Sequence, residues 1–366
     1  MTVVYQGVAG ETGPLYTRLL HTDPQGPHGG ALFLTAEIYR EREPWGAVFP
    51  VYRSDDGGHS WRLVSEVADE QFRVGNRYQP MLFELPADWA GLSRGTLLLA
   101  GNSFPADGSS TRLVVYSSDD GVSWRFLSEV DAGGPAEYDW RPTAETTAIW
   151  EPHLDLVDGR LVCYYADERR KADRMLQVLV HRTARTPDEW SEAHLDFGVA
   201  DEFTRPGMFV STGRMPDGRY RAVFEVVGPR DVPIRFAESP DGLDWADAAD
   251  LGTRLRTDDG VALSGTPNVS WHVDASGRTV VIATGRLALD SRGDAVNRGL
   301  VNLAGGVGAW QSFELPVPAT RALEGDSSGY SQSVICNAEG DLVQATTVRN
   351  AAGSHDIVVA VATPPW

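Results

Sequence analysis

Ser54-Asp55-Asp56-Gly57-Gly58-His59-Ser60-Trp61 returns further along the chain as Ser117-Ser118-Asp119-Asp120-Gly121-Val122-Ser123-Trp124. Both stretches fit S-x-D-x-G-x-x-W, the Asp box, through Ser54, Asp56, Gly58 and Trp61 and through Ser117, Asp119, Gly121 and Trp124. The motif is a turn. Aspartate tolerates turn backbone and accepts nearby N–H groups, glycine supplies a positive φ, and tryptophan buries a large apolar area between sheets. A weaker copy, SPDGLDW, ends at Trp245 with Pro240 where the aspartate is expected, and Trp190 and Trp310 keep the beat without the motif. The five tryptophans stand 63, 66, 55 and 65 residues apart. A unit of roughly 60 residues repeated through 366 gives six units.

Between the tryptophans lie short alternating runs rich in Val, Leu, Tyr and Phe, such as GRLVCYYAD, GRYRAVFEVV, GRTVVIATGR and GDLVQATTV. Each follows a turn signal (VDGR, PDGR, ASGR, AEGD) that marks a hairpin. The reading is all-β: a six-bladed β-propeller of four-stranded antiparallel blades, which protects its sheet edges by radial repetition. The last unit, from Tyr330, shows three strands, and the N-terminal TVVYQ is expected to supply the fourth and close the ring. No Ser/Gly run, Pro-rich stretch or block of like charge suggests a linker, so residues 1–366 are read as one propeller domain.

The formal charge of −19 argues against nucleic acid or an anionic membrane surface as partner, because phosphate binding needs a basic face. No apolar run of about 18 residues is present to span a bilayer. The opening MTVVYQGVAG lacks a basic segment followed by an apolar one, so no secretory signal is expected within it. Cys163 and Cys336 sit in apolar runs and read as buried free thiols. His21, His153 and His272 show no metal-ligand spacing, and neither a metal nor an organic cofactor is expected.

If the first strand of each hairpin lines the channel, its start and the end of the second strand share one rim. That rim collects Arg18 and Glu37, Gln79 and Asn102, Glu151 and Asp167, Arg205 and Glu225, Asn268 and Arg286, and Tyr330 with Arg349. All are polar, although the adjoining strands are strongly apolar. Trp45, Trp140 and Trp150 fall in rim loops, where aromatic rings stack on sugar faces or pack beneath a loop.

Trp150-Glu151-Pro152, Tyr164-Tyr165-Ala166-Asp167-Glu168, Arg205-Pro206-Gly207-Met208, Phe224-Glu225 and Tyr330-Ser331, in this order, resemble glycoside hydrolase family 93. These are exo-acting α-1,5-L-arabinanases on a sialidase/neuraminidase-like propeller. The resemblance implies release of arabinobiose from plant arabinan by two glutamates acting with retention, at the positions of Glu151 and Glu225. Retention needs two carboxyls close together, one as nucleophile and one as acid/base; Glu151 is expected as nucleophile and Glu225 as acid/base. Tyr330 joins them as a third catalytic candidate. Arg18, Glu37, Gln79, Asn102, Trp150, Asp167, Arg205, Asn268 and Arg286 are the expected substrate-binding set, and the partner is an oligo- or polysaccharide.

Two other readings stand beside this one. A sialidase, or another sialidase-like enzyme on polysaccharide, would use Arg18, Arg286 and Tyr330; yet in the fourth unit Arg205 precedes Glu225, the reverse of the sialidase order. A carbohydrate-binding propeller without activity would keep the turns and rim aromatics but has no need of paired glutamates.

Overall fold

Asp158 and Gly159, both at positive φ (48° and 71°), turn the strand Ile149–Val157 back on Arg160–Asp167. Two positive φ values in a two-residue loop match the right-handed twist of the strands they join. The computed structural model describes residues 1–10, 13–42, 44–136, 146–318 and 327–366. Among these, the only helix is the 3₁₀ turn Lys171–Asp173, and no helix is long and apolar enough to cross a membrane.

The chain is all-β and built mainly of four-stranded antiparallel sheets. Sheet 1 holds Leu15–His21, Leu32–Glu37, Phe49–Ser54 and Arg62–Val67. Sheet 2 holds Asn76–Glu84, Leu97–Ser103, Thr111–Ser118 and Arg125–Gly133. Sheet 3 continues the Ile149–Val157 hairpin with Val178–Ala184 and His194–Phe197. Sheet 4 holds Arg205–Arg214, Tyr220–Val227, Ile234–Ser239 and Thr253–Arg254, and sheet 5 holds Asn268–Val273, Thr279–Thr284, Arg298–Asn302 and Gln311–Glu314. Sheet 6 holds Ser333–Cys336, Leu342–Arg349 and His355–Ala362, and Thr2–Tyr5 pairs antiparallel along its last strand. The first strands of consecutive sheets lie against one another, and that of sheet 6 lies against that of sheet 1.

Apolar cores fill the spaces between neighbouring sheets, and each carries one tryptophan of the repeat. Trp61 packs between sheets 6 and 1, Trp124 between 1 and 2, and Trp190 between 2 and 3. Trp245 packs between sheets 3 and 4, and Trp310 between 4 and 5. The space between sheets 5 and 6 takes Trp366, edge-on to Phe313 at 5.2 Å. Trp366 follows Trp310 by 56 residues and so completes the beat without a turn motif before it. Cys163 and Cys336 are buried free thiols in these cores.

The turns correct the sequence register in two of three copies. In the first, Ser54 donates to Asp56, Gly58 N–H reaches Ser54 Oγ at 2.9 Å, and Ser60 N–H reaches Asp56 Oδ1 at 2.9 Å. In the second, the work falls to Ser118 and Asp120: Gly121 N–H reaches Ser118 Oγ, and Val122 and Ser123 N–H reach Asp120 Oδ1. In the third, Ser239 and Asp241 make the same bonds to Gly242, Leu243 and Asp244, so Pro240 does not displace the aspartate. The first copy carries an extra residue, Gly57, between Asp56 and the glycine at the turn's end. Matching its spacing onto the others selects residues one position too early.

Candidate active site

Each first strand carries within its first four residues, or just before it, a non-glycine residue in the left-handed region: Tyr16, Gln79, Glu151, Met208, Thr266 and Ser331, with φ between 38° and 65°. Such backbone costs about 1–2 kcal/mol per residue and persists where the surroundings over-determine it. In sheets 1 to 4 the pairing register shifts at the same point, between Leu15 and Arg18, Tyr78 and Met81, Trp150 and His153, and Gly207 and Val210. These are bulges, and a bulge re-aims a side chain.

The bulged N–H groups are held from the preceding sheet. Gln79 N–H donates to Glu37 Oε1 at 2.6 Å, Glu151 N–H to Gln79 Oε1 at 2.9 Å and Asn102 Oδ1 at 3.2 Å, and Met208 N–H to Glu151 Oε2. Thr266 N–H donates to Glu225 Oε2 at 2.6 Å, Ser331 N–H to Thr266 Oγ1 at 2.9 Å, and Tyr16 N–H to the Tyr330 carbonyl at 3.3 Å. The last bond returns the relay from sheet 6 to sheet 1.

Above the relay lies a cavity of about 570 Å³, within the roughly 300–1,000 Å³ range of small-molecule sites. Glu37, Glu151, Glu225, Arg205, Arg286 and Tyr330 line it, with Tyr16, Tyr39, Tyr78, Gln79, Trp150, Gln177, Met208 and Thr266. A larger groove of about 860 Å³ runs along the outer edges of sheets 4 and 5. Its acidic residues Glu238, Asp250 and Asp258 are exposed, and it brings no buried carboxyls together. The smaller cavity is therefore the candidate site.

Burial raises all three carboxyls. Glu151 is pushed up to about 8, by desolvation first and by the neighbouring Glu225 second, against the Met208 N–H and Arg205. Glu225 is raised by desolvation, opposed by the Thr266 N–H, Arg286 and Arg205. Glu37 rises to about 7 through burial, with Tyr39 Oη and the Gln79 N–H holding it down. Burial keeps the Tyr16 and Tyr330 phenols well above their ordinary value, so both stay hydroxyls.

The arginine and tryptophan walls share one buried anchor. Glu168, fully buried, accepts from Arg205 Nη2 at 2.8 Å, Trp150 Nε1 at 3.0 Å and Thr146 Oγ1 at 2.8 Å, and pairs with Lys171 at 3.2 Å. Gln177 Oε1 takes a second bond from Arg205 at 2.9 Å. The guanidinium is thereby fixed at the cavity wall.

No protein-family model and no curated protein matches the sequence. Among solved structures, the α-L-arabinofuranosidase of Fusarium graminearum in complex with an iminosugar inhibitor is 27% identical, with a TM-score of 0.84 over 99% of this chain and 97% of its own. The Penicillium chrysogenum α-L-arabinanase complexed with arabinobiose is 29% identical, with a TM-score of 0.83 over 98% and 97%. A further complex of the Fusarium enzyme, with arabinobiose, places it in glycoside hydrolase family 93. By structure the chain resembles glycoside hydrolase family 93 enzymes over nearly its whole length. A microbial sialidase, 13% identical with a TM-score of 0.58 over 95% of this chain and 66% of its own, shares the fold alone.

Of the family-93 site residues expected from sequence, Glu37, Gln79, Trp150, Glu151, Arg205, Glu225, Arg286 and Tyr330 line the cavity. Four do not. Arg18 lies beneath Tyr16, its guanidinium 4.5 Å from that ring and bonded to the Ser331 carbonyl at 2.9 Å. The bulge that turns Tyr16 to the cavity turns Arg18 away. Asn102 supports the Glu151 backbone from below. Asp167 is buried and engaged by Arg169 at 2.7 Å. Asn268 lines a separate cavity with Arg18, His153 and His272. Arg349 is exposed, and Trp45 packs against Arg73 at 5.3 Å. Trp140 lies outside the described residues. His153 accepts the Ser211 N–H at 3.0 Å and is held neutral, near 3, by burial. Sequence reasoning missed Tyr16, Tyr39, Tyr78, Gln177, Met208 and Thr266; Tyr16, Tyr39, Met208 and Thr266 sit at positive φ, a signal of backbone conformation rather than composition.

Proposed function

We propose that the chain is a retaining, exo-acting glycosidase on linear α-1,5-L-arabinan that releases arabinobiose. The observation that carries this is that Glu151 and Glu225 line one cavity with Arg205, Arg286 and Tyr330. The 27–29% identity over nearly the whole chain to arabinanase-type enzymes supports the substrate. The scaffold is read as one six-bladed propeller domain closed by Thr2–Tyr5; the pairing of that strand with the last one and the sheet-to-sheet relay support this.

The roles follow from charge. Retention requires one ionised carboxylate and one protonated carboxyl. Burial raises both glutamates and Arg205 favours charge on both; Arg286 adds to this at Glu225, while the neighbouring Glu225 favours the proton on Glu151. Glu225 is therefore assigned as nucleophile and Glu151 as acid/base, the reverse of the expectation from sequence. Tyr330 and Arg286 border Glu225 and orient the sugar; Trp150, Tyr78 and Tyr39 supply apolar walls for sugar faces.

The test is incubation with linear α-1,5-arabinan and, in parallel, sialyl-lactose, with products separated by chromatography. Arabinobiose released by the wild type, and by neither Glu151→Gln nor Glu225→Gln, is expected. Free sialic acid would move the chemistry to Tyr330 and the arginines, and binding without turnover would leave a carbohydrate-binding propeller.

A further inference from the structure

On the outer part of sheet 3, away from the catalytic cavity, His181 stands opposite His194 in the pairing of Val178–Ala184 with His194–Phe197. The register shifts just beyond this pair: Val180 faces Leu195 and Leu179 faces Phe197, which makes Asp196 the extra residue of a bulge. The bulge brings the Asp196 carboxylate to both imidazoles. His181 Nδ1 lies 2.7 Å from Asp196 Oδ1, and His194 Nδ1 lies 3.5 Å from the same oxygen. One donor atom from each residue falls within 4.8 Å of the others, and no other such group of His, Cys, Asp or Glu occurs among the described residues.

A hydrogen-bonded His–Asp pair would account for His181 and Asp196 Oδ1, but two features remain. Asp196 Oδ2 is buried and has no hydrogen-bond partner among the described residues, and the Asp196 side chain is only 1% exposed. A buried carboxylate oxygen without a partner costs free energy that a bound cation recovers. His194 is 65% exposed yet converges on the same carboxylate, which gives an ion a path from solvent.

We propose that His181, His194 and Asp196 form a binding site for one divalent transition-metal ion of the zinc class. Two imidazoles and one carboxylate are a borderline donor set suited to zinc, with ligand distances of about 2.0–2.2 Å and a remaining position for water. The spacing of the three residues along the chain matches no familiar metal motif, which is why the sequence suggested none. The site is remote from the proposed hydrolysis, and its role is mechanical. His194–Phe197 is the short outermost strand of sheet 3, four residues long, and an ion shared with His181 clips it to its neighbour.

The test uses the full chain without an affinity tag, stripped by chelator, then titrated with zinc chloride by calorimetry and with cobalt chloride by visible absorption. One ion per chain is expected, with cobalt bands of a low-coordinate site and binding that weakens as acid protonates the imidazoles. His194→Ala, at an exposed position that leaves the core intact, is expected to weaken binding at least about tenfold and to abolish the zinc-dependent rise in melting temperature. Asp196→Asn should weaken it comparably. No stoichiometric binding up to about 0.1 mM zinc, or wild-type affinity in His194→Ala, overturns the proposal. Arabinan hydrolysis plays no part in the readout, so either result is independent of the proposed activity.

Discussion

Thr266 donates its backbone N–H to Glu225 Oε2 at 2.6 Å, although the two residues belong to neighbouring repeats. Glu151 Oε2 accepts the Met208 backbone N–H in the same way. The carboxyls assigned to chemistry are thus also the pegs that hold the next repeat's strained backbone, and mutations there act on both.

Replacing either glutamate by glutamine should cut kcat on arabinan by at least about 10²–10⁴-fold, the range of general acid–base contributions. The roles separate by chemical rescue on a substrate with a good leaving group. Azide added to Glu225→Ala should give a glycosyl azide of inverted anomeric configuration, and azide added to Glu151→Ala the retained one. The opposite pairing of products restores the assignment expected from sequence. Activity should be bell-shaped in pH, its alkaline limb near pH 8 belonging to Glu151, and that limb should be missing in Glu151→Ala under rescue.

Stability should fall as pH rises. Glu151 is protonated up to about pH 8 in the fold but ionises near 4.5 in the unfolded chain, and Glu37, raised to about 7, behaves alike. Between those values the native state binds more protons than the unfolded one, so the stabilising effect, complete below pH 4.5, is lost progressively towards pH 7–8. Glu151→Gln should therefore gain stability over wild type on the order of 1–3 kcal/mol at pH 8, and little at pH 5. Denaturant melts at the two pH values check this; a gain of the same size at both would refute the linkage.

Gly207→Ala should damage catalysis more than folding. A Cβ there would sit 2.6 Å from Gln177 Nε2 and 3.1 Å from Glu151 Oε2, both side-chain atoms that can shift. Moving the carboxylate by a fraction of an ångström is expected to lower kcat by about 10–100-fold. The melting temperature should change by only a few degrees, and a kcat unchanged at full expression would show that Glu151 tolerates the displacement.

Asp120→Ala should cost about 1–2 kcal/mol, because Asp120 accepts two backbone N–H groups in its turn. Asp241→Ala should cost a similar amount. Asp119→Ala, at the position selected by motif spacing, should cost under about 0.5 kcal/mol, since Asp119 is exposed and among the described residues bonds only Thr96 and Arg125. Urea denaturation of the three variants decides between the two registers.

The architecture was legible because its signals are local. Trp61 and Trp124 announce the inter-sheet cores through their turns, and hairpins such as Asp158-Gly159 are written in two residues. The site was legible only as far as strand alternation holds. Glu151 and Glu225 were found, but a bulge reverses the alternation at the rim and exchanges Tyr16 for Arg18. In sheet 5 the left-handed residue precedes the strand, so the cavity meets Thr266 rather than Asn268. No residue type marks these bulges in advance, because tyrosine, glutamine, methionine and threonine have no preference for positive φ; only packing against the preceding repeat enforces it.

The relay also gives the two carboxyls a handedness. Glu151 Oε2 already receives the Met208 N–H, so an acidic proton on Glu151 belongs on Oε1, the oxygen beside the Gln79 amide. Glu225 Oε2 is likewise committed to Thr266, which leaves Oε1 as the oxygen that the proposed nucleophile would present to an anomeric carbon. On the proposed mechanism the scaffold selects which oxygen attacks and which donates before any sugar arrives, so that the direction of proton flow is set by the backbone.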